Sequence, residues 1–124
     1  MDALTTIFSR RSIRLYTAKP VSREMVNEIL RAAMSAPSAG NERPWHFIVL
    51  TDRNILDAIP KFHPYSAMLK HAQGAILVCG DLTLEKHKGY WTLDCAQPQR
   101  MCFSRPMPRD LVRSGVVSTL PRTG

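Results

Sequence analysis

"ILRAAMSAPSAGNERPWHFIVL", residues 29–50, passes from helical spacing through a small-residue loop into a β-forming run. Ile29, Leu30, Ala33 and Met34 recur at three- and four-residue intervals, the spacing that buries one face of a helix. Upstream, Ser22 is a suitable N-cap, Glu24 sits in the positive first turn, and Met25 or Val26 extends the apolar stripe. Pro37 stops the helix. Residues 37–41 then bring Pro, Ser, Ala, Gly and Asn together, a loop that lets backbone groups approach a ligand closely. A plain connection between two elements is the equal alternative at this point. Residues 45–51, "WHFIVLT", predict a buried strand with Trp45 and Phe47 in the core and His46 in a structural role.

Outward from this block the pattern continues in short elements. Residues 2–9 suit a short helix with Leu4, Ile7 and Phe8 on one side. Asp52 caps a helix through Ile59 that Pro60 closes, and residues 66–73 suit another short helix. "AILVCG", 75–80, predicts a second buried strand, with Cys79 as a small buried hydrophobe. "YWTLDCA", 90–96, reads as the opening of a helix, with Cys95 buried. Beyond Ala96 neither period persists, and the prolines limit any helix there to a turn or two.

The 124 residues suit one domain, and 44% apolar with 22% charged residues is ordinary globular composition. No run of about 18 apolar residues is present, which argues against a membrane span. The first residues lack the charged and apolar regions of a secretory signal. Cys79, Cys95 and Cys102 are an odd number with no C-x-x-C, and the four histidines lack metal-ligand spacing. Together these point to a reducing cytoplasm and to no metal. The net charge of +7 is uneven: residues 1–95 carry 12 Lys/Arg against 9 Asp/Glu, and residues 96–124 carry 5 against 1. Four of the nine prolines also fall in that last stretch, so a boundary is expected near Ala96.

"FSRRSIRLY", 8–16, holds the densest positive charge of the first half. Arg10, Ser12 and Arg14 alternate, so an extended backbone would turn two guanidinium forks and a hydroxyl to one side. That set suits a phosphate; a solvated basic face is the competing interpretation.

Taken together, "SRRSIRLY", "ILRAAMSAPSAGNERPWHFIVL", "AILVCGD" and "GYWTLDCA" resemble the FMN-dependent nitroreductase family in order and spacing, over residues 7–95. The resemblance implies an α+β fold, a nitroreductase-like α/β sandwich with a mixed sheet flanked by helices. It implies that Arg10, Arg11, Ser12 and Arg14 hold the FMN phosphate and ribityl chain. It also implies that Pro37, Ser38, Ala39 and Asn41 reach the flavin from the partner subunit of a homodimer. The implied activity is NAD(P)H oxidoreduction through the flavin to a nitroaromatic, quinone or similar small acceptor, with no catalytic side chain required.

The resemblance stops at residue 95, and the family's alanine-rich core helix and later strands have no counterpart in residues 96–124. Back-translated with degenerate codons and read from the third base of the Ala96 codon, this stretch admits that helix residue by residue. A single-base deletion near codon 96 is therefore expected, leaving an incomplete sandwich without its C-terminal half and a basic, poorly ordered tail. Loose packing and weak or absent FMN binding would follow. Two alternatives remain: a non-catalytic fragment of the family, and a small basic nucleic-acid-binding protein, which the order of the motifs argues against.

Overall fold

The computed structural model describes residues 2–9 and 14–103, together with the backbone of 120–121. Helix α1 (Ala3–Ser9) is capped by Asp2, whose carboxylate accepts from the Thr5 N–H at 2.9 Å and from its hydroxyl at 2.7 Å. The predicted apolar stripe of α1 is present, but Leu4, Ile7 and Phe8 are each more than half exposed. Helix α2 (Arg23–Met34) begins where expected: the Ser22 hydroxyl accepts from the Met25 N–H at 3.2 Å. Ala33 is fully buried at its inner face, whereas Met34, read from the sequence as part of that face, is 51% exposed.

Strands β1 (Trp45–Leu50) and β2 (Ala75–Gly80) pair antiparallel, with Trp45 opposite Gly80 and Phe47 opposite Val78. Between them lie α3 (Arg53–Ala58) and two 3-10 turns, Ile59–Lys61 and Ala67–His71. The Asp52 carboxylate caps α3 by accepting from the Asn54 N–H at 2.8 Å. Strand β3 (Leu120–Pro121) runs parallel to β2 over two residues, in the stretch where no strand of the family pattern was expected. Helix α4 (Trp91–Phe103) packs against β2 and β1, and α2 packs against α4. The core sits between sheet and α4: Ala36, Trp45 and Cys95 are buried, with Phe47, Val78, Trp91 and Met101 packed around them.

One sequence expectation fails here, and it concerns the strands. Trp45 is buried and Phe47 half-buried, but Ile48 and Val49 are 45% and 40% exposed, and no residue of β2 before Gly80 is fully buried. A continuous apolar run predicts cover on both faces of a strand. Among the described residues, α4 is the helix that packs on both strands.

Helix α4 runs through position 96 to Phe103, about two turns beyond Ala96 as the prolines allow, with Pro98 inside it and less than 2% exposed. An internal proline removes one ladder hydrogen bond and costs about 3 kcal/mol. Burial of Pro98 and of Met101 at the core offsets that cost. The helix also closes onto β2 through an unusual contact. A Cβ built on Gly80 would stand 2.5 Å from Trp91 Cε3, so the indole occupies space that only glycine leaves open.

Candidate functional site

The loop after α2 carries more backbone strain than any other described segment. Ser38 is extended, at φ −143° and ψ 156°, and Ala39–Asn41 forms one 3-10 turn. Gly40, Asn41 and Arg43 all have positive φ, at 58°, 56° and 49°. Glycine takes that conformation freely and asparagine tolerates it, but for arginine it costs about 1 kcal/mol or more. Strain of this kind persists only where surrounding contacts over-determine it.

Those contacts can be named. The Arg43 N–H donates to the Ser38 hydroxyl at 3.0 Å, and Arg43 Nε donates to Asn41 Oδ1 at 3.1 Å. The Asn41 and Glu42 N–H groups donate back to the Ser38 and Ala39 carbonyls. The Ala39 N–H donates to Asp94 Oδ1 on α4 at 3.0 Å, and Glu42 Oε1 accepts from the His87 N–H at 2.9 Å. The His87 ring lies against Gly40, where a Cβ would approach Nε2 to 3.0 Å. The Glu42 side chain is fully buried, so the loop presents no exposed negative charge. What it does present is the exposed carboxamide of Asn41, whose NH2 makes no hydrogen bond among the described residues, and the Arg43 cation beside it. That donor set suits an acceptor-rich or anionic ligand edge.

Of the residues singled out in the sequence, Ser38, Ala39 and Asn41 share this loop with Pro37. Arg10, Arg11 and Ser12 lie outside the described residues. Arg14 is exposed in the irregular segment before α2, and among the described residues no hydrogen bond or ion pair joins it to the loop. Asp94 and Glu42 were not foreseen. Their partners lie 55 and 45 positions away, and no local pattern marks either acid as a loop anchor.

A second polar cluster stands at the other end of the Trp45–Gly80 pair. His46 Nε2 lies 2.8 Å from Asp81 Oδ2, and Asp81 Oδ1 accepts from the Thr83 hydroxyl at 2.5 Å and the Thr83 N–H at 3.0 Å. The Thr83 hydroxyl, then His46 and the Thr83 N–H hold the Asp81 carboxyl down at about 2. His46 thus keeps a structural role, as expected, although its side chain is half exposed. On α4, Cys95 is buried and its thiol is pushed up to about 11, mainly by desolvation, then by the neighbouring charges of Asp94 and Cys79. An inert structural thiol results.

Among the described residues no helix is long and apolar enough to cross a membrane. Residues 7–91 match the family model described as Nitroreductase family. A Methanothermobacter thermautotrophicus protein, described as an NADH dehydrogenase/NAD(P)H nitroreductase, is 53% identical over 96 residues, covering 77% of this chain and 50% of its own length. An FMN-dependent nitroreductase from Clostridium difficile superposes with a TM-score of 0.73 at 29% identity, over 82% of this chain and 58% of that one. A Desulfovibrio desulfuricans structure, described as a nitroreductase in complex with FMN, gives a TM-score of 0.75 at 32% identity, over 82% and 60%. The chain therefore spans about half the length of the curated relatives it matches.

Proposed function

Because the chain belongs to the nitroreductase family, we propose that it is built as part of an FMN-dependent NAD(P)H oxidoreductase that reduces a nitroaromatic, quinone or similar small acceptor. The observation that carries the proposal is the strained 37–43 loop, which hides the Glu42 carboxylate and exposes the Asn41 carboxamide and the Arg43 cation. An isoalloxazine edge, rich in acceptor atoms, is matched by that set. When bound, FMN supplies the hydride chemistry.

The work of this chain's residues is to bind and orient. Asn41 donates from its carboxamide, and Arg43 holds the Asn41 oxygen so that the NH2 faces outward. Arg14 contributes a guanidinium for the phosphate, together with Arg10, Arg11 and Ser12. The same reading has the chain act as a homodimer in which each subunit's clasp and its partner's loop complete one site. Three cysteines without a disulfide among the described residues suit a reducing compartment, the cytoplasm.

A titration of FMN into the purified chain, followed by flavin fluorescence and by flavin retained on gel filtration, is the test. Retention should fall about tenfold or more in Arg14→Ala, the loss of one charge-assisted contact. No retention by the wild type, or equal retention by R14A, overturns the assignment of the clasp. A second reading, a fragment that binds FMN poorly, is favoured by Ile48, Val49 and Leu93, apolar residues on the sheet and α4 that remain 40–62% exposed. The nucleotide sequence around codons 94–100 tests its suggested origin: an intact family reading frame one base out of phase would support a frameshift, and random sequence there would exclude it.

A further inference from the structure

We propose that Asp94 positions the 37–41 loop for its ligand, acting as a remote cap on the turn that carries Gly40 and Asn41. The proposal rests on the reading of that loop as the cofactor loop, and it extends the site to a residue on α4.

The turn Ala39–Asn41 opens with an N–H that has no partner within the turn. Ser38 occupies the capping position but makes no side-chain bond to the turn, because its hydroxyl is taken by the Arg43 N–H. Asp94 Oδ1 meets the Ala39 N–H instead, at 3.0 Å and across 55 residues of sequence. Asp94 is the acid of the first turn of α4, where the helix N-terminus favours a carboxylate, but the hydrogen bond its side chain makes goes to the loop and not to the N–H groups of its own helix.

Burial makes the arrangement costly. Asp94 is only 6% exposed, and its Oδ2 has no hydrogen-bond partner among the described residues. A buried carboxylate with a single bond is poorly compensated, which fits a role in the loop better than a role in packing. The other end of the loop is tied back to the same stretch of chain, where Glu42 Oε1 accepts the His87 N–H. Between the two ties stand Gly40 and Asn41 in their left-handed conformations. The orientation of the Asn41 carboxamide is therefore set from α4, through Asp94.

The test uses the full 124-residue chain and compares amide hydrogen exchange in wild type, Asp94→Leu and Asp94→Asn. Leucine keeps the volume and removes the acceptor; asparagine keeps an acceptor oxygen. Exchange at residues 38–42 should quicken roughly five- to a hundredfold in D94L and stay near wild type in D94N. The amides of α2 and β1 should be unchanged in both. D94A carries the same expectation with a strong helix former, should D94L not fold. Unchanged exchange at 38–42, or equal acceleration in α2 and β1, overturns the proposal, the latter because it marks a general packing role. In a parallel FMN titration, D94L should weaken binding by a similar factor and D94N should not; equal FMN affinity in D94L also overturns it. A wild type that binds no FMN instead overturns the cofactor reading, and exchange alone then decides whether Asp94 sets the loop.

Discussion

Gly80→Ala tests the closest contact in the core, and its magnitude can be worked from two opposed terms. A new Cβ would stand 2.5 Å from Trp91 Cε3, 3.1 Å from Cζ3 and 3.4 Å from Cδ2. Carbon atoms rest at about 3.5–4.0 Å, so the nearest overlap is about 1 Å. The indole cannot simply swing away. Trp91 opens α4, its backbone N–H donates to Glu85 Oε1 at 3.2 Å, and its ring packs on the core cluster. Forcing it to move costs about 1–3 kcal/mol, as overpacking usually does. Against this, replacing glycine by alanine in a strand gains about 0.5–1 kcal/mol of backbone entropy. The net expectation is a loss of about 0.5–2 kcal/mol, read by urea denaturation monitored by tryptophan fluorescence and near-UV circular dichroism. The decisive measurement is the double mutant. With Trp91→Leu the obstruction is gone, so G80A should reverse sign and stabilise by several tenths of a kcal/mol. If G80A costs the same in both backgrounds, the Trp91 contact is not what excludes a side chain at position 80.

Three further outcomes follow from bonds already described. The folded Asp81 carboxyl sits near 2, below its ordinary 3.8, so its contribution is complete above 3.8 and fades as pH falls toward 2. Asp81→Asn should therefore lower stability at neutral pH and flatten the acid limb of a pH–stability curve; an unchanged limb would refute the pairing with Thr83 and His46. Cys95, with its thiol at about 11, should resist iodoacetamide at pH 8 for as long as the chain stays folded, and labelling of Cys95 at the rate of a free thiol in native buffer would contradict its burial. Arg53 donates to the Ala72 carbonyl at 2.6 Å and to the Leu69 carbonyl, closing the Ala67–His71 turn, and Arg53→Ala should cost about 1–2 kcal/mol in urea denaturation given its partly exposed side chain. No loss would show that the turn holds without it.

Local chemistry made much of the fold legible. Ser22, Asp52 and the Pro-rich loop each act on neighbours within a few residues, so the starts of α2 and α3 and the break before β1 could be placed from the chain alone. The resemblance carried the fold class, an incomplete nitroreductase-like sandwich. What escaped depends on contacts distant in sequence. Apolarity marks Ile48 and Val49 as strand residues but says nothing of what covers them. The 37–41 loop was recognised by composition, yet its conformation is held by Asp94 and Glu42, single acids whose partners are tens of residues away. His46 was correctly read as structural, but its pairing with Asp81 spans 35 positions and leaves no local trace.

Pro98 also has a mechanical consequence. It offers no N–H to the carbonyl four residues back, and that carbonyl belongs to Asp94. The hydrogen-bond ladder of α4 is thus interrupted immediately below the residue that holds the loop. The turn above the interruption carries Trp91, Asp94 and Cys95; the part below carries Met101 and Cys102 against the core and α2. A missing rung is where a helix bends most readily. The loop at 37–41 is thus tied, through the Ala39 N–H, to the turn of α4 that stands directly above the missing rung, and a bend there would reach the loop before it reached the rest of the helix.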